Sequence, residues 1–276
     1  RKEYIMLNRS LEKNALPKDE IDIFSEEMDA VCLSSKKKVK IFNNGIMKYL
    51  MIAALGGFFV GLAVMLLYTV GGIVDHSGSG VTKIIMGISF GCALSFVIMA
   101  GVDLFTSNSL VMLIGALYKK VTWLDFFKIL LVSWIGNLFG SIIGGVIYAY
   151  SHAGTSYVQE FMINMAQSKI DTPMFDLILK GMLCNVLVCL AAWFSYKLKS
   201  ESGKLIMIFW CLFTFITAGF EHSIANMTLF SIAYFLPNTT VTLGGAFYNI
   251  FFVSLGNFIG GTLLVGFPLY YIAKNK

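Results

Sequence analysis

The sequence predicts an all-α integral membrane protein: a bundle of six spans, built as two inverted three-span repeats, with two broken helices. Three observations predict it: the composition, two apolar regions too long for a single crossing, and a pair of motifs that recurs at a nearly constant interval. Of the 276 residues, 57% are apolar and 13% are charged, about half the charged share of a soluble domain. A soluble core of this size would leave too few polar residues for its surface, so the composition argues against a soluble enzyme or a nucleic-acid-binding protein.

Six apolar regions predict the spans, and two of them are longer than one crossing requires. A helix needs about 20 residues to cross the hydrocarbon core. Regions 84–118 and 205–236 hold 35 and 32 residues and would run roughly 52 and 48 Å as straight helices. Both carry polar residues part-way along, so we predict two helical pieces around a short loop in each. The six regions are 46–70, 84–118, 129–150, 174–194, 205–236 and 246–273.

The segments outside the spans set the predicted topology. Residues 1–45 are polar, and Ile21 to Lys40 predicts an amphipathic helix on the membrane surface or on the protein body. A six-span domain follows over 46–273, and 274–276 form a short tail. If the N-terminus is cytoplasmic, 18 lysines and arginines lie inside and 2 lie outside. This bias predicts a multi-pass protein of the cell membrane with both termini in the cytoplasm.

Two motifs indicate an internal repeat. The pattern Ala-Gly-x-acid-x-x-x-x-Asn occurs at 100–108 and at 218–226, and Gly-Asn-x-x-Gly occurs at 136–140 and at 256–260. The offsets are 118 and 120 residues. The repeat units are therefore 46–150 and 174–273, and because each holds three spans the second is inverted relative to the first. Such repeats place broken helices face to face near the membrane midplane, with half-helix N-termini pointing inward.

Ionisable residues lie in both predicted breaks. Intramembrane ionisable groups are rare and mark functional sites by default. We interpret His222 as functional rather than as a packing histidine. Glu221 is expected to orient backbone N–H groups of its loop, and Asp103 has the same role by symmetry. The asparagines that end the first motif, Asn108 and Asn226, are assigned to the same loop structure.

Other residues near the breaks leave two interpretations open. Apolar side chains around the breaks serve either as pore constrictions or as ordinary packing. Asp176 and Lys180 are spaced for an ion pair on one helix. Taken alone, Lys169 is a solvated surface lysine in the long outer loop. The apolar set is Phe90, Leu94, Leu104, Phe105 and Phe215.

No catalytic, metal or redox pattern emerges. The five cysteines show no C-x-x-C spacing, so neither a disulfide framework nor a zinc site is predicted. We predict no metal, no cofactor and no nucleic-acid partner. Two alternatives to a transport function stay open. One is an intramembrane enzyme that uses Glu221 and His222, for which no nucleophile is identifiable, and the other is a non-conducting membrane scaffold.

Four sequence runs resemble the formate/nitrite transporter family over residues 25–273. They are AGVDLFTSN (100–108), KGMLCNVLVCLAAW (180–193), AGFEHSIANM (218–227) and LGNFIGG (255–261). The resemblance implies an aquaporin-like bundle in the lipid bilayer, assembled as a homopentamer with one pore per protomer. It implies a channel or transporter, not an enzyme. The substrates that the resemblance implies are small anions of weak acids: hydrosulfide, formate and nitrite. Hydrosulfide is favoured, because the resemblance is strongest to hydrosulfide channels.

The resemblance also assigns residues. It implies that His222 is the central pore histidine, Thr106 the threonine that hydrogen-bonds it, and Asn185 a polar pore residue. It implies that Lys169 attracts anions at the outer vestibule. The apolar residues divide into two constrictions, one of Leu94, Leu104 and Phe105 and the other of Phe90 and Phe215.

Overall fold

The computed structural model describes residues 24–273, and every regular element within them is helical. Residues 1–23, which include the predicted helix start at Ile21, and the tail 274–276 lie outside the described residues. In chain order the helices are α1 (Ser25–Asn43), α2 (Ile46–His76), α3 (Thr82–Phe90), α4 (Cys92–Ala100), α5 (Phe105–Leu117), α6 (Trp123–Ser151), α7 (Ser156–Ile170), α8 (Met174–Lys197), α9 (Glu201–Ala218), α10 (Ser223–Phe235), α11 (Leu243–Ile259), a π-helix (Gly260–Gly266) and α12 (Phe267–Ala273).

Six helical stretches within residues 24–273 are long and apolar enough to cross a membrane. They are α2, α3 with α4, α6, α8, α9, and α11 continued through α12. Helices α5 and α10 are apolar but have only 13 residues each, too few for a crossing alone. Helix α5 directly follows the stretch formed by α3 and α4, and α10 directly follows α9. The two broken spans predicted from excess length are therefore present. The predicted all-α, six-span fold class is confirmed.

Each broken span is interrupted by four residues. The first break comprises residues 101–104, and the second comprises residues 219–222. Each opens on a glycine in the left-handed region, Gly101 at φ 68° and Gly219 at φ 78°, a conformation that glycine adopts without the steric cost of a side chain. Each closes on an extended residue, Leu104 or His222, before the next helix begins. The two breaks therefore share one backbone design.

Helix packing follows the inverted repeat. In the first half α2 packs along α6, and in the second half α8 packs along α11, and these are the two most extensive helix pairings. The short helices cross between halves. Helix α10 packs against α6, and α5 packs against the π-helix that continues α11. The crossing brings the two breaks together in the interior of the bundle.

Three features of the spans were not predicted from the sequence. Helices α3 and α4 are separated at Gly91, where an added Cβ would overlap the Phe209 ring. The predicted outer loop contains the 15-residue helix α7. The sixth span passes through the π-helix, where a Cβ on Gly261 would overlap Ser109 Oγ. Each feature depends on a tertiary contact that sequence periodicity does not report.

Helix α1 lies on the protein body, one of the two placements predicted for the amphipathic segment. Its apolar face buries Met28, Val31 and Cys32. Its N-terminal end contacts the end of α8, where the rings of Phe24 and Trp193 lie 5.4 Å apart, edge to face. The helix thus covers the end of the bundle nearest the first break.

Candidate pore site

A histidine and a threonine join the two breaks. His222 Nε2 lies 3.3 Å from Thr106 Oγ1, and both side chains are buried. His222 Nδ1 accepts a hydrogen bond from the Ala225 backbone N–H over 3.1 Å, which caps the start of α10. Because Nδ1 is the acceptor, the proton of the neutral ring is on Nε2, and Nε2–H donates to Thr106. The imidazole therefore presents one N–H at the meeting point of the breaks.

Two helix N-termini point at the same region. Helix α5 begins at Phe105 and α10 begins at Ser223, each immediately after a break. The first N–H groups of a helix lack partners within it, and the helix dipole places partial positive charge at its N-terminus. Together with Thr106 and His222, these N-termini form a buried region favourable to negative charge.

Apolar residues flank the histidine. The Phe90 and Phe215 rings lie 5.7 Å apart, edge to face, and the Phe215 ring stacks 6.0 Å from the His222 ring. Leu94, Leu104 and Phe105 are buried as well. All five predicted constriction residues thus belong to one buried apolar cluster around the breaks.

Asn185 faces the first break from α8. Its Nδ2 donates to Thr106 O over 3.2 Å, to Ser109 Oγ over 3.0 Å and to Asn257 O over 2.5 Å. The side chain is fully buried. Asn185 therefore supports the backbone that carries Thr106, the residue in contact with His222.

Lys169 is not a solvated surface lysine. Its Nζ donates to both carboxylate oxygens of Glu221 over 2.7 Å, and the lysine side chain is only 13% exposed. Asn226 Nδ2 donates to Glu221 Oε2 over 2.6 Å. Within the described residues, Glu221 acts through these side chains rather than through loop N–H groups. The burial follows from α7, which carries Lys169 into the bundle.

The first break has a matching arrangement that the sequence interpretation missed. The Asp103 carboxylate pairs with Lys38 of α1. Tyr49 OH donates to Asp103 Oδ2 over 2.5 Å, and Asn108 Nδ2 donates to the same oxygen over 2.7 Å. Each break therefore holds an acid bound by a lysine from a helix outside the spans and by the asparagine five residues later. In the sequence, Lys38 counts only among the 18 lysines and arginines that indicate topology, but the acid in the mirror position of the repeat was the signal for a specific partner.

A cavity of about 300 Å³ opens beside the first break, between α1 and the end of α8. Its walls include Lys38, Asp103, Leu104 and Tyr196. The cavity therefore extends from α1 to Leu104. The predicted Asp176–Lys180 pair is not among the ion pairs of the described residues; the Lys180 carbonyl instead accepts from Glu221 N–H over 3.3 Å.

Fold and site together define a six-span membrane protein with a polar centre between two helix breaks, the architecture of a channel. The chain belongs to the formate/nitrite transporter family, whose pattern, described as "Formate/nitrite transporter", matches residues 25–271. "Nitrite transporter NirC" of Escherichia coli (strain K12) is 33% identical over 251 residues, covering 90% of this chain and 92% of the relative.

Two solved structures share the fold. One, titled "FNT family ion channel", superposes with a TM-score of 0.85 at 32% identity, covering 91% of this chain and all of that one. The other, "Pentameric formate channel with formate bound", gives a TM-score of 0.72 at 27% identity, covering 82% and 97%. These relatives are transporters and channels, which sets the enzymatic alternative aside.

Proposed function

We propose that this protein conducts small monovalent anions of weak acids through a pore that passes between the two helix breaks. One observation carries the proposal: His222 of the second break lies in contact with Thr106 of α5, two residues after the first break, between two half-helix N-termini and among apolar side chains. The relatives support the substrate class, since one is named a nitrite transporter and another holds formate.

The route we propose starts at the cavity beside α1 and crosses two apolar constrictions. Leu94, Leu104 and Phe105 form the first, and Phe90 with Phe215 forms the second. Apolar rings exclude water and hydrated ions. An anion that crosses them loses its hydration, which is expensive unless protein donors replace the water. His222, between the constrictions, is placed to supply such a donor.

Two mechanisms use these donors differently. In the first, donors from Thr106 and His222 and the partial positive charge of the half-helix N-termini stabilise an anion that stays charged. In the second, His222 in its protonated form transfers a proton to the anion, the neutral acid crosses the apolar constriction, and the neutral ring then takes up a proton from the side on which the anion entered. The first gives electrogenic flux, whereas the second moves one proton with each anion and carries no net charge.

Among substrates we place hydrosulfide ahead of formate and nitrite. The support is the resemblance of the motifs around the breaks to those of hydrosulfide channels. Formate and nitrite remain substrates of the same site, since all three are small anions with a single charge. Lys169 contributes by holding Glu221 beside His222 and by adding positive charge on the α7 side.

For assembly and orientation we propose a homopentamer in the cell membrane with both termini in the cytoplasm. The pentameric title of one structural relative supports the assembly. The excess of lysines and arginines on the α1 side supports the orientation. Mass measurement of the detergent-solubilised protein and labelling of single cysteines from each side of the membrane test these two points.

Liposome flux is the experiment that tests the function. Purified protein in liposomes should pass hydrosulfide, formate and nitrite and should pass chloride much more slowly, with empty liposomes as the blank. A membrane voltage applied in the same liposomes separates the two mechanisms, since only charged permeation responds to it. No flux of any of the three anions above the blank would overturn the proposal.

A further inference from the structure

An asparagine on α6 binds the backbone on both sides of Leu104, the last residue of the first break. Asn137 Nδ2 donates to Ala53 O over 2.7 Å and to Asp103 O over 2.9 Å. Its Oδ1 accepts from Phe105 N–H over 2.9 Å. The side chain is fully buried. One amide thus joins α2, the end of the break and the first N–H of α5.

Asn257 on α11 makes the same three contacts in the second half. Its Nδ2 donates to Gly181 O over 2.8 Å and to Glu221 O over 3.0 Å. Its Oδ1 accepts from Ser223 N–H over 2.9 Å. It is also fully buried. The contacts reproduce those of Asn137 atom for atom, with α8 in place of α2 and α10 in place of α5.

The glycines of the recurring Gly-Asn-x-x-Gly motif explain how each asparagine reaches its break. A Cβ on Gly140 would overlap Ala54 O, and a Cβ on Gly260 would overlap Met182 O. Without side chains at these positions, α6 and α11 approach the backbones of α2 and α8 closely. A short asparagine side chain one turn earlier then spans the remaining gap. The motif that revealed the repeat in the sequence thus has a structural purpose.

The bonded N–H groups belong to the first residues of α5 and α10. Helix N-termini leave such N–H groups without partners inside the helix, and a buried donor without a partner is costly. A partner from a neighbouring helix both satisfies the donor and fixes its position in the bundle. The carbonyl bond fixes the other edge of the same turn, at Asp103 and at Glu221. Each asparagine therefore determines where one half-helix begins.

We propose that Asn137 and Asn257 are positioning residues, each of which fixes one half-helix N-terminus and through it one property of permeation. Asn137 holds the backbone of Phe105, beside Leu104, and so sets the width of that constriction. Asn257 holds the residues on both sides of His222 and so sets the position of the imidazole. The permeation consequence rests on the proposed anion-channel function, whereas the positioning itself does not.

Hydrogen exchange of the whole protein in lipid nanodiscs tests the positioning directly. Asn137→Ala should raise deuterium uptake in residues 103–108 and leave 220–226 at the wild-type level, and Asn257→Ala should do the reverse. The matched controls are Ser141→Ala and Ser254→Ala. Each removes a side-chain hydrogen bond from the same helix, to Gly57 O and to Trp134 Nε1–H respectively, without contacting a break. If Asn137→Ala or Asn257→Ala does not assemble, Asn137→Ser or Asn257→Ser is measured in its place.

Liposome flux of the same variants tests the effect on permeation. Loss of a buried hydrogen bond by Asn137→Ala should raise the ratio of lactate to formate flux by roughly tenfold. Asn257→Ala should lower formate flux per protein by roughly tenfold, with the lactate-to-formate ratio unchanged. Equal uptake changes in both segments, or no change in either, would overturn the proposal even if the wild type conducts. A non-conducting wild type with the segment-specific uptake pattern would instead refute the channel function and keep the positioning.

Discussion

The Lys169 ammonium lies 2.7 Å from each carboxylate oxygen of Glu221, and the two side chains are only 13% and 7% exposed. A surface lysine would act on anions through a long-range field that salt screens. A buried lysine acts first on its partner, because it holds the carboxylate next to His222 and neutralises it. The pair thus changes what substitution of Lys169 is expected to do.

We expect Lys169→Gln to destabilise the protein and to lower flux at every salt concentration. Removing one partner of a buried ion pair costs about 3–5 kcal/mol because it leaves an uncompensated charge. Salt screens buried charges weakly. Thermal unfolding and liposome flux at low and high salt measure both effects. Lys83→Gln, at an exposed lysine on the same side of the predicted topology, is the control. Recovery of flux at high salt would show a surface role instead.

The stability loss in Lys169→Gln should not fall as pH rises near neutrality. Burial opposes the charge on Lys169, but the Glu221 carboxylate and further neighbours outweigh it and raise the pKa of the lysine. A raised pKa gives a contribution that is complete below the unfolded lysine value of about 10.4 and is lost only as pH rises through the folded value. The difference in Tm between wild type and variant should therefore not shrink as pH rises from about pH 6 to pH 9. A difference that shrinks on raising the pH within this range would contradict the ion pair.

The Lys38–Asp103 pair should behave as the mirror image. Lys38→Gln removes the cation from a nearly buried acid, and the protein should lose a few kcal/mol of stability. Lys38→Gln combined with Asp103→Asn removes both charges and should recover much of the loss. The control is Lys36→Gln, which removes an exposed charge from the same helix. Equal Tm values for the Lys38 and Lys36 variants would show that the pair contributes little.

His222 variants should separate proton transfer from hydrogen bonding. Asparagine is a good N-cap, so His222→Asn should preserve the start of α10 and retain a donor near Thr106 while losing the ability to titrate. His222→Phe loses the donor as well, and we expect it to be inactive. If a proton passes through the ring, the Asn variant should lose the pH dependence of flux; if the ring only donates, that variant should be nearly normal. Normal, pH-dependent flux in an assembled His222→Phe variant would show that His222 is a packing residue. The control is His152→Asn, the same substitution at a histidine outside the spans.

The apolar constrictions should act as a size filter. The double variant Phe215→Ala with Leu94→Ala should pass larger carboxylates and water faster relative to formate, because both changes open buried apolar gaps. Each large-to-small change also costs about 2–5 kcal/mol of stability, so assembly is checked first. Phe247→Ala, at a residue 64% exposed, is the matched control. An unchanged preference among carboxylates would identify Phe215 and Leu94 as packing residues.

The fold was largely predictable because membrane physics leaves few options. Excess span length located both breaks, and the motif offsets indicated the inverted repeat. The pairing of His222 with Thr106 followed from the family resemblance, not from spacing. These predictions succeeded because each depends on local composition or on a recurring motif.

What the sequence did not predict depends on long-range contacts. Lys38 precedes Asp103 by 65 residues and lies among other lysines, so no local pattern identified it as a partner. The burial of Lys169 required α7, whose residues resemble a polar loop. The kink at Gly91 and the π-helix accommodate side chains from other helices. The spacing of residues within one segment does not indicate which distant segments it contacts.

The ion pairs have a consequence for biosynthesis. Lys38 is made before Asp103, and Lys169 is made before Glu221, so each cation has left the ribosome before its acid enters the bilayer. An isolated carboxylate in hydrocarbon is costly, and this order lets each broken span insert with its counter-ion already available. We therefore expect helix α1 to assist the insertion of the first broken span. A version truncated before α2 would deliver Asp103 to the membrane without its cation, and less of it should reach the folded state in cells.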